Sequence, residues 1–202
     1  MPLPVWAANP SCLLITIEEY EALPVEARLG IEIVDGGVIG CKGASPQERD
    51  VSRNLTTALR AARPAQADLE VLAGADVHFR ESGRAPHRGE KHFTMRRPDI
   101  SVARRKEPGA KLCSDDVMAA IEITSSVDIT HFYDKRAEYA GQRIPVYLIV
   151  LMHGRRIVDV QEHRLDWSGC DYGLAAVHRG SLSTELPEGM KVNVAFSELE
   201  GV

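Results

Sequence analysis

Two apolar segments that each carry one carboxylate constrain the fold of this chain more than any other feature. The first segment, Ile100 to Ala103, follows Asp99, and the second, Met118 to Ile123, contains Glu122. Both segments have the length and β-branched character of buried strands. Because a carboxylate is costly in a buried strand unless a positive group meets it, we expect both acids to have a partner.

A cationic partner is available on the helix that follows the second segment. The pattern predicts this helix from Thr130 to about Gln142, with Lys135 on it, and an apolar run from Ile144 to Met152 after it. Two strand-end carboxylates beside a cation suit a hard divalent metal, which takes oxygen ligands and keeps several waters. This combination favours chemistry on phosphodiesters.

The same residues also fit a purely structural role. Asp99 follows Pro98 and could serve as a turn residue, and Glu122 could pair with Lys135 or Arg136 as a structural ion pair. Carboxylates with shifted pKa values occur both at functional sites and in ion-pair networks. Spacing alone leaves both interpretations open.

A basic segment surrounds the first carboxylate. From Arg80 to Lys106 there are nine Lys or Arg and three acidic residues, a local charge of +6 in a chain of net charge -5. Such a segment beside a metal site would position a phosphate backbone through salt-sensitive contacts. A solvated loop explains the same composition. The candidate nucleic-acid contacts are Arg84, Arg88, Lys91, Arg96 and Arg97.

Length and composition predict one globular domain outside the membrane. The chain has 202 residues, and we expect an irregular arm over residues 1–15 and a single domain over 16–202. Its longest apolar run has nine residues, too few to span a bilayer, and its N-terminus lacks the basic region of a signal peptide. A cytoplasmic protein is expected. The four cysteines form no CxxC pair, so no zinc site or disulfide framework is indicated.

A β-hairpin is predicted near the N-terminus. Ile31 to Val34 and Val38 to Gly40 flank the turn sequence Asp35-Gly36-Gly37, whose residues tolerate positive φ. Glu32 lies between two isoleucines, so alternation places it on the face opposite to them. It is a third acidic group of the site if that face borders a cleft, and a plain polar residue if it borders water.

Other elements follow from local signals. Ser45-Pro46-Gln47-Glu48 starts a helix that Pro64 ends. Further strands are expected at Leu69 to Leu72, Asp76 to Phe79, Ile157 to Val160, Leu174 to Val177 and Val192 to Phe196.

Taken in order, these segments resemble the Uma-two-type family of restriction endonucleases, a branch of the PD-(D/E)XK nuclease superfamily. The resemblance runs from about Thr16 to Glu198. It is carried by IEIVDGGVI, SPQERDVSRNL, RRPDISVA, AIEITSS and DKRAEYAGQRIPVYLIV. It implies a mixed α/β fold with a restriction-endonuclease-like core, a central mixed sheet flanked by helices. The alternating segments after Arg155 predict extra antiparallel strands at the C-terminus.

The resemblance also implies roles for individual residues. Asp99 and Glu122 would bind Mg²⁺, or Mn²⁺ as a substitute, with Ile123 as a further metal-binding position. Glu32 would be an additional acidic member and Lys135 the active-site lysine. In the superfamily that lysine lies two residues after the Glu, where this chain has threonine, so Lys135 matches the displaced lysine of the family.

Two positions depart from the family pattern. Glu48 stands where the family commonly has histidine at the start of the SPQERD helix, and His131 stands where it commonly has aspartate four residues before the lysine. Neither departure removes a core ligand.

Three functions from different classes remain open. The first is a Mg²⁺-dependent DNA endonuclease, with RNA as an alternative substrate, acting as a homodimer because duplex cleavage generally needs two sites. The second is a non-catalytic nucleic-acid-binding or interaction module on the same scaffold. The third is a metal-independent acid/base hydrolase that uses Asp99 and Glu122 on a small substrate.

Overall fold

The described part of the chain contains five α-helices and thirteen strands. The computed structural model describes residues 14–41, 43–80, 93–125 and 129–201, and for residues 129–134 it describes only the main chain. The helices are α1 (Ile17–Glu21), α2 (Val25–Arg28), α3 (Pro46–Ala62), α4 (Ile129–Gly141) and α5 (Phe196–Leu199). The strands are β1 (Ile31–Val34), β2 (Gly37–Gly40), β3 (Leu69–Ala73), β4 (Val77–His78), β5 (Met95–Arg96), β6 (Ile100–Arg104), β7 (Leu112–Cys113), β8 (Val117–Ser125), β9 (Val146–His153), β10 (Arg156–Leu165), β11 (Tyr172–His178), β12 (Ser181–Leu186) and β13 (Met190–Ala195).

The chain divides into two compact units. Unit 1 comprises Met1–Gly43 and Asp76–Arg97, and unit 2 comprises Ala44–Ala75 and Pro98–Val202. The mixed α/β class predicted from the sequence is confirmed. None of the helices that the structure describes is both long and apolar enough to cross a membrane.

Unit 1 is built on antiparallel strands in the order β2-β1-β5-β4. The predicted hairpin is confirmed: β1 and β2 pair across a turn in which Asp35 has φ 48° and Gly36 has φ 76°. Such positive angles match the twist of the flanking strands. The core of this unit contains Tyr20, Ile33 and Phe93, all buried.

Unit 2 contains a six-stranded mixed sheet in the order β11-β10-β9-β8-β6-β3. Strands β8 and β9 run parallel, and every other neighbouring pair in this sheet is antiparallel. A parallel pair requires a crossover connection, and α4 is the helix between these two strands. The expected central mixed sheet is therefore present, and β12 and β13 add the antiparallel pair near the C-terminus.

Helix α3 covers one face of this sheet. Ser45 and Glu48 form the predicted capping box at its start, with Pro46 at the first helical position. The buried residues Val51, Leu55 and Leu59 share one hydrophobic core with side chains of β8, including Ile121 and Ile123. The side chains of Ile121 and Ile123 therefore lie on the face of β8 that packs against α3.

Side chains alternate along a strand, so Glu122 points away from the α3 face of β8. It meets α4 on the opposite face, where Lys135 and Tyr139 contact it. All residues from Val117 to Thr124 are consequently buried, because helices cover both faces of the strand. This two-sided burial explains why the β8 sequence is continuously apolar apart from its carboxylate and hydroxyl.

Three strands were not predicted from the sequence, β5, β7 and β12, and others differ from the prediction in their bounds. Strand β10 extends from Arg156 to Leu165 rather than ending at Val160, because its polar residues are paired inside the sheet: Glu162 accepts hydrogen bonds from Arg164 and His178. Strand β12 escapes prediction because four of the six residues in its sequence SLSTEL are polar, and only Leu182 and Leu186 are fully buried.

Candidate active site

Asp99 and Glu122 lie side by side in unit 2. In the antiparallel pairing of β6 with β8, Ile100 is opposite Ile121, so Asp99 just before β6 lies next to Glu122. The Asp99 carboxylate accepts a hydrogen bond from the main-chain N–H of Ile123, with an Oδ2 to N distance of 2.7 Å. The main chain of β8 thus fixes Asp99 beside the strand that carries Glu122.

Lys135 reaches the same carboxylate from α4. Its Nζ lies 2.9 Å from Oε1 of Glu122, and only 14% of the lysine side chain and 5% of the glutamate side chain are exposed. Thr124, two residues after the glutamate, is buried and donates its hydroxyl hydrogen bond to the carbonyl of Ser125. The displaced lysine and the glutamate are therefore in contact even though thirteen residues separate them.

Arg136, the other cation considered as a partner of Glu122, contacts residues near the start of β11. Arg136 donates to the carbonyl oxygen of Tyr172 on β11 and lies 3.5 Å from the Asp171 carboxylate. Adjacent residues on a helix point about 100° apart, which separates this guanidinium from its neighbour Lys135. Of the two cations considered for Glu122, Lys135 is the one in hydrogen-bonding contact.

Tyr139 is a site contact that the sequence did not reveal. Its hydroxyl donates to Oε1 of Glu122 at 3.0 Å, the same oxygen that accepts from Lys135. The sequence places Tyr139 only within the helix predicted from Thr130 to about Gln142. The available signal was its spacing, since residues four apart on a helix lie on the same face.

Glu48 contacts the end of β8. One oxygen of its carboxylate accepts from the N–H of Ser45 at 2.6 Å, which closes the capping box, and the other accepts from the N–H of Ser125 at 3.2 Å. The departure from the family pattern at this position therefore has a visible consequence. The carboxylate connects the start of α3 to the strand that carries Glu122.

Glu32 is buried in unit 1 with arginine partners. One oxygen accepts from the guanidinium of Arg96 at 2.9 Å, and the other accepts from the main-chain N–H of Arg97 at 2.9 Å. Its two neighbours Ile31 and Ile33 are buried as well. The alternative in which this side chain faces water is wrong, because Glu32 is buried. Within unit 1 Glu32 takes part in a buried ion pair.

Both described arginines of the predicted phosphate-binding set are engaged with acids. Arg96 pairs with Glu32, and Arg97 pairs with Asp76 and also donates to the carbonyl oxygen of Arg28. Burial alone would lower the pKa of Arg97, but Asp76 outweighs it and the pKa is raised, so the guanidinium stays charged. Phosphate contact by these two residues stays a prediction. The other predicted contacts, Arg84, Arg88 and Lys91, lie outside the described residues.

The donor set of Asp99 and Glu122 fits a hard divalent cation. Both are carboxylates held at neighbouring positions, and such a cation takes oxygen ligands and completes its shell with water. Among the residues whose side chains are described, Cys113, Asp115 and Asp116 form a group of three with metal-ligand spacing, and their ligand atoms lie within 4.8 Å of one another. A thiol is a soft ligand that suits Mg²⁺ poorly, so the carboxylate pair is the better match.

Comparison with known proteins agrees with these features. The model of the Uma2 family, described as "Putative restriction endonuclease", matches residues 17–196. No curated protein matches the chain at a significant level. A solved structure from Anabaena variabilis, titled as a putative nuclease belonging to DUF820, has a TM-score of 0.64 and 14% sequence identity, and the alignment covers 92% of this chain and 97% of that one.

The structural likeness establishes a shared fold, and the family match extends over most of the sequence. The resemblance inferred from the five sequence segments is confirmed, as is the nuclease-like mixed α/β fold. The chain therefore belongs to the Uma2 family.

Proposed function

We propose that this protein is a Mg²⁺-dependent endonuclease that hydrolyses phosphodiester bonds in DNA. The observation that carries the proposal is the convergence of Asp99, Glu122 and Lys135 in unit 2. The two carboxylates come from the residue before β6 and from β8, and the ammonium group comes from α4. Family membership supports a nuclease, and the structural neighbour from Anabaena variabilis is described as a putative nuclease as well.

Asp99 and Glu122 would hold the cation, with Ile123 positioning the first of them through its N–H group. A divalent cation supplies Lewis-acid chemistry, because it acidifies water and offsets the negative charge of the scissile phosphate. Lys135 would orient the attacking water or stabilise charge that develops on the phosphate. Its flexible stem allows the ammonium group to move between Glu122 and a substrate.

Glu32 keeps its proposed place as an additional acidic member of the site on the strength of the family resemblance. Its contacts within unit 1 equally suit a structural ion pair with Arg96. The basic residues Arg84, Arg88 and Lys91 are proposed to bind the phosphate backbone. A homodimer, in which each protomer would cut one strand, and a cytoplasmic location complete the proposal.

A supercoiled-plasmid nicking assay tests this function. Wild-type protein is titrated with Mg²⁺ and Mn²⁺ beside an EDTA control, and a single-stranded RNA is assayed in parallel. The variants Asp99→Asn and Glu122→Gln should each lose cleavage by at least about 100-fold, since each removes a charged ligand while preserving shape. Cleavage of RNA alone would move the substrate from DNA to RNA.

A matched control removes a different buried carboxylate from the same sheet. Glu162 on β10 is bonded to Arg164 and His178, outside the proposed site, so Glu162→Gln should cut like wild type at a temperature where all variants are folded. Metal-dependent cleavage retained by both Asp99→Asn and Glu122→Gln would refute the proposal. Cleavage that persists in EDTA would favour a metal-independent acid/base hydrolase.

A nucleic-acid-binding module without catalysis is the second candidate. The observation that favours it is the buried pairing of Glu122 with Lys135, because a structural role accounts for that contact without any reaction. This candidate predicts salt-sensitive DNA binding with intact plasmid in every divalent metal. Metal-dependent nicking by wild type, lost in Asp99→Asn, would exclude it.

A further inference from the structure

We propose that Tyr139 is a positioning residue of this site. Its hydroxyl holds the Glu122 carboxylate in the orientation that a divalent cation needs, and it continues to do so when Lys135 leaves that carboxylate for the substrate. The inference rests on the proposed function, since it concerns the same two carboxylates.

The first observation is that two donors share one oxygen. Oε1 of Glu122 accepts from Nζ of Lys135 at 2.9 Å and from Oη of Tyr139 at 3.0 Å. Glu122 is only 4% exposed, so water cannot readily replace a donor that departs. Leaving a buried carboxylate short of hydrogen bonds is costly. When Lys135 moves to a substrate, Tyr139 therefore keeps one hydrogen bond to the Glu122 carboxylate in place.

The second observation is that the two donors differ in mobility. Lys135 carries its ammonium on a long flexible stem, whereas Tyr139 is fully buried. The ring of Tyr139 packs edge-on against Tyr147, with centroids 5.2 Å apart. Tyr147 in turn stacks with Tyr172 at 5.9 Å, and the hydroxyl of Tyr172 donates to the carbonyl of Ile144 at 2.6 Å. This aromatic stack fixes the ring whose hydroxyl meets Glu122.

The third observation is the placement of both donors on α4. Lys135 and Tyr139 are four residues apart, one helical turn, so both project toward β8 from the same face. The helix thus presents a movable cation and a fixed neutral donor to one carboxylate. The neutral donor orients Glu122 without adding a positive charge that would repel a metal ion.

Removal of this hydroxyl should affect metal binding and turnover more than folding. Residues that orient a metal ligand typically contribute about 10- to 100-fold to metal affinity or activity. Tyr139→Phe keeps the ring and leaves Lys135 bonded to Glu122. We expect about 10-fold weaker Mn²⁺ binding and about 10-fold lower kcat, with little change in KM for DNA.

Tyr172→Phe is the matched control, because it also removes one buried hydroxyl from the same aromatic stack, but one that bonds a main-chain carbonyl. Mn²⁺ affinity is measured by isothermal titration calorimetry on the full chain, and kcat and KM by plasmid cleavage. Thermal unfolding of both variants is recorded alongside. The expected result is a loss of Mn²⁺ affinity in Tyr139→Phe and none in Tyr172→Phe.

Three outcomes would overturn the inference. Equal Mn²⁺ affinity in wild type and Tyr139→Phe refutes this inference and leaves the proposed function standing. Equal losses in both variants, in step with their thermal stabilities, would assign Tyr139 a packing role and refute it as well. Failure of wild type to bind Mn²⁺ refutes it together with the proposed function. Wild type that binds Mn²⁺ but cuts no nucleic acid refutes the proposed function alone, and the affinity of Tyr139→Phe then still decides the inference.

Discussion

Replacement of Glu32 by glutamine should destabilise unit 1 by several kcal/mol. The carboxylate lies 2.9 Å from the guanidinium of Arg96, and the arginine and glutamate side chains are only 7% and 4% exposed. Glutamine preserves shape and an oxygen that can accept from the N–H of Arg97. The substitution therefore removes the charge of the pair and little else.

The magnitude follows from the distance and the burial. At 2.9 Å and an effective dielectric constant of about 20, the gross attraction is about 6 kcal/mol, part of which desolvation offsets. Loss of one partner from a buried pair typically costs about 3–5 kcal/mol, because the other charge stays buried and uncompensated. We expect a loss in this range for Glu32→Gln. The double variant Glu32→Gln, Arg96→Met should lose clearly less unfolding free energy than the two single variants lose together.

Urea unfolding followed by circular dichroism measures the loss, and amide hydrogen exchange in β1 assigns it to unit 1. The exposed pair of Asp50 with Arg53 provides a control, since its side chains are 34% and 67% exposed, and Asp50→Asn should cost less than about 1 kcal/mol. The contrary result is an unfolding free energy for Glu32→Gln within about 0.5 kcal/mol of the wild-type value, together with loss of cleavage. The structural reasoning would then be wrong, and Glu32 would serve the reaction.

Two further predictions concern unit 2. Glu48→Ala removes the acceptor shared by the start of α3 and the N–H of Ser125, so we expect a loss of about 1–2 kcal/mol in unfolding free energy; an unchanged denaturation midpoint would contradict this. Burial alone would raise the pKa of Glu162, but hydrogen bonds from His178 and Arg164 outweigh it and lower the pKa below its usual 4.5. A lowered folded pKa stabilises the fold above the unfolded value, and this contribution is lost as pH falls through the folded pKa. Unfolding free energy measured below pH 4.5 should therefore fall less steeply with acid in Glu162→Gln than in wild type, and parallel profiles would refute the assignment.

Local elements were predictable because their signals lie within a few residues. The capping box of Ser45 and Glu48 marks the start of α3, and the Asp35-Gly36 turn sets the hairpin of unit 1. The two carboxylate-bearing strands and the helix with Lys135 were also found from periodicity and length. Fold class followed from the family resemblance that these segments carry.

Contacts between distant residues could not be read in the same way. The partner of Glu32 lies 64 residues away, and alternation alone assigned that side chain to a cleft or to water rather than to Arg96. The extension of β10 depends on the hydrogen bond between Glu162 and His178 inside the sheet, and these residues are 16 positions apart. Short-range patterns carry no information about such pairings, because the chain path between the partners sets them.

For the candidate site, the sequence by itself determined the chemical groups: two carboxylates at strand ends and a lysine on the following helix. The tertiary structure decided which atoms meet. It placed Asp99 beside Glu122 through the antiparallel register, and it directed both Lys135 and Tyr139 to a single oxygen. The physical reason is that residue type fixes charge and hydrogen-bonding capacity, whereas distance and burial depend on how strands and helices pack.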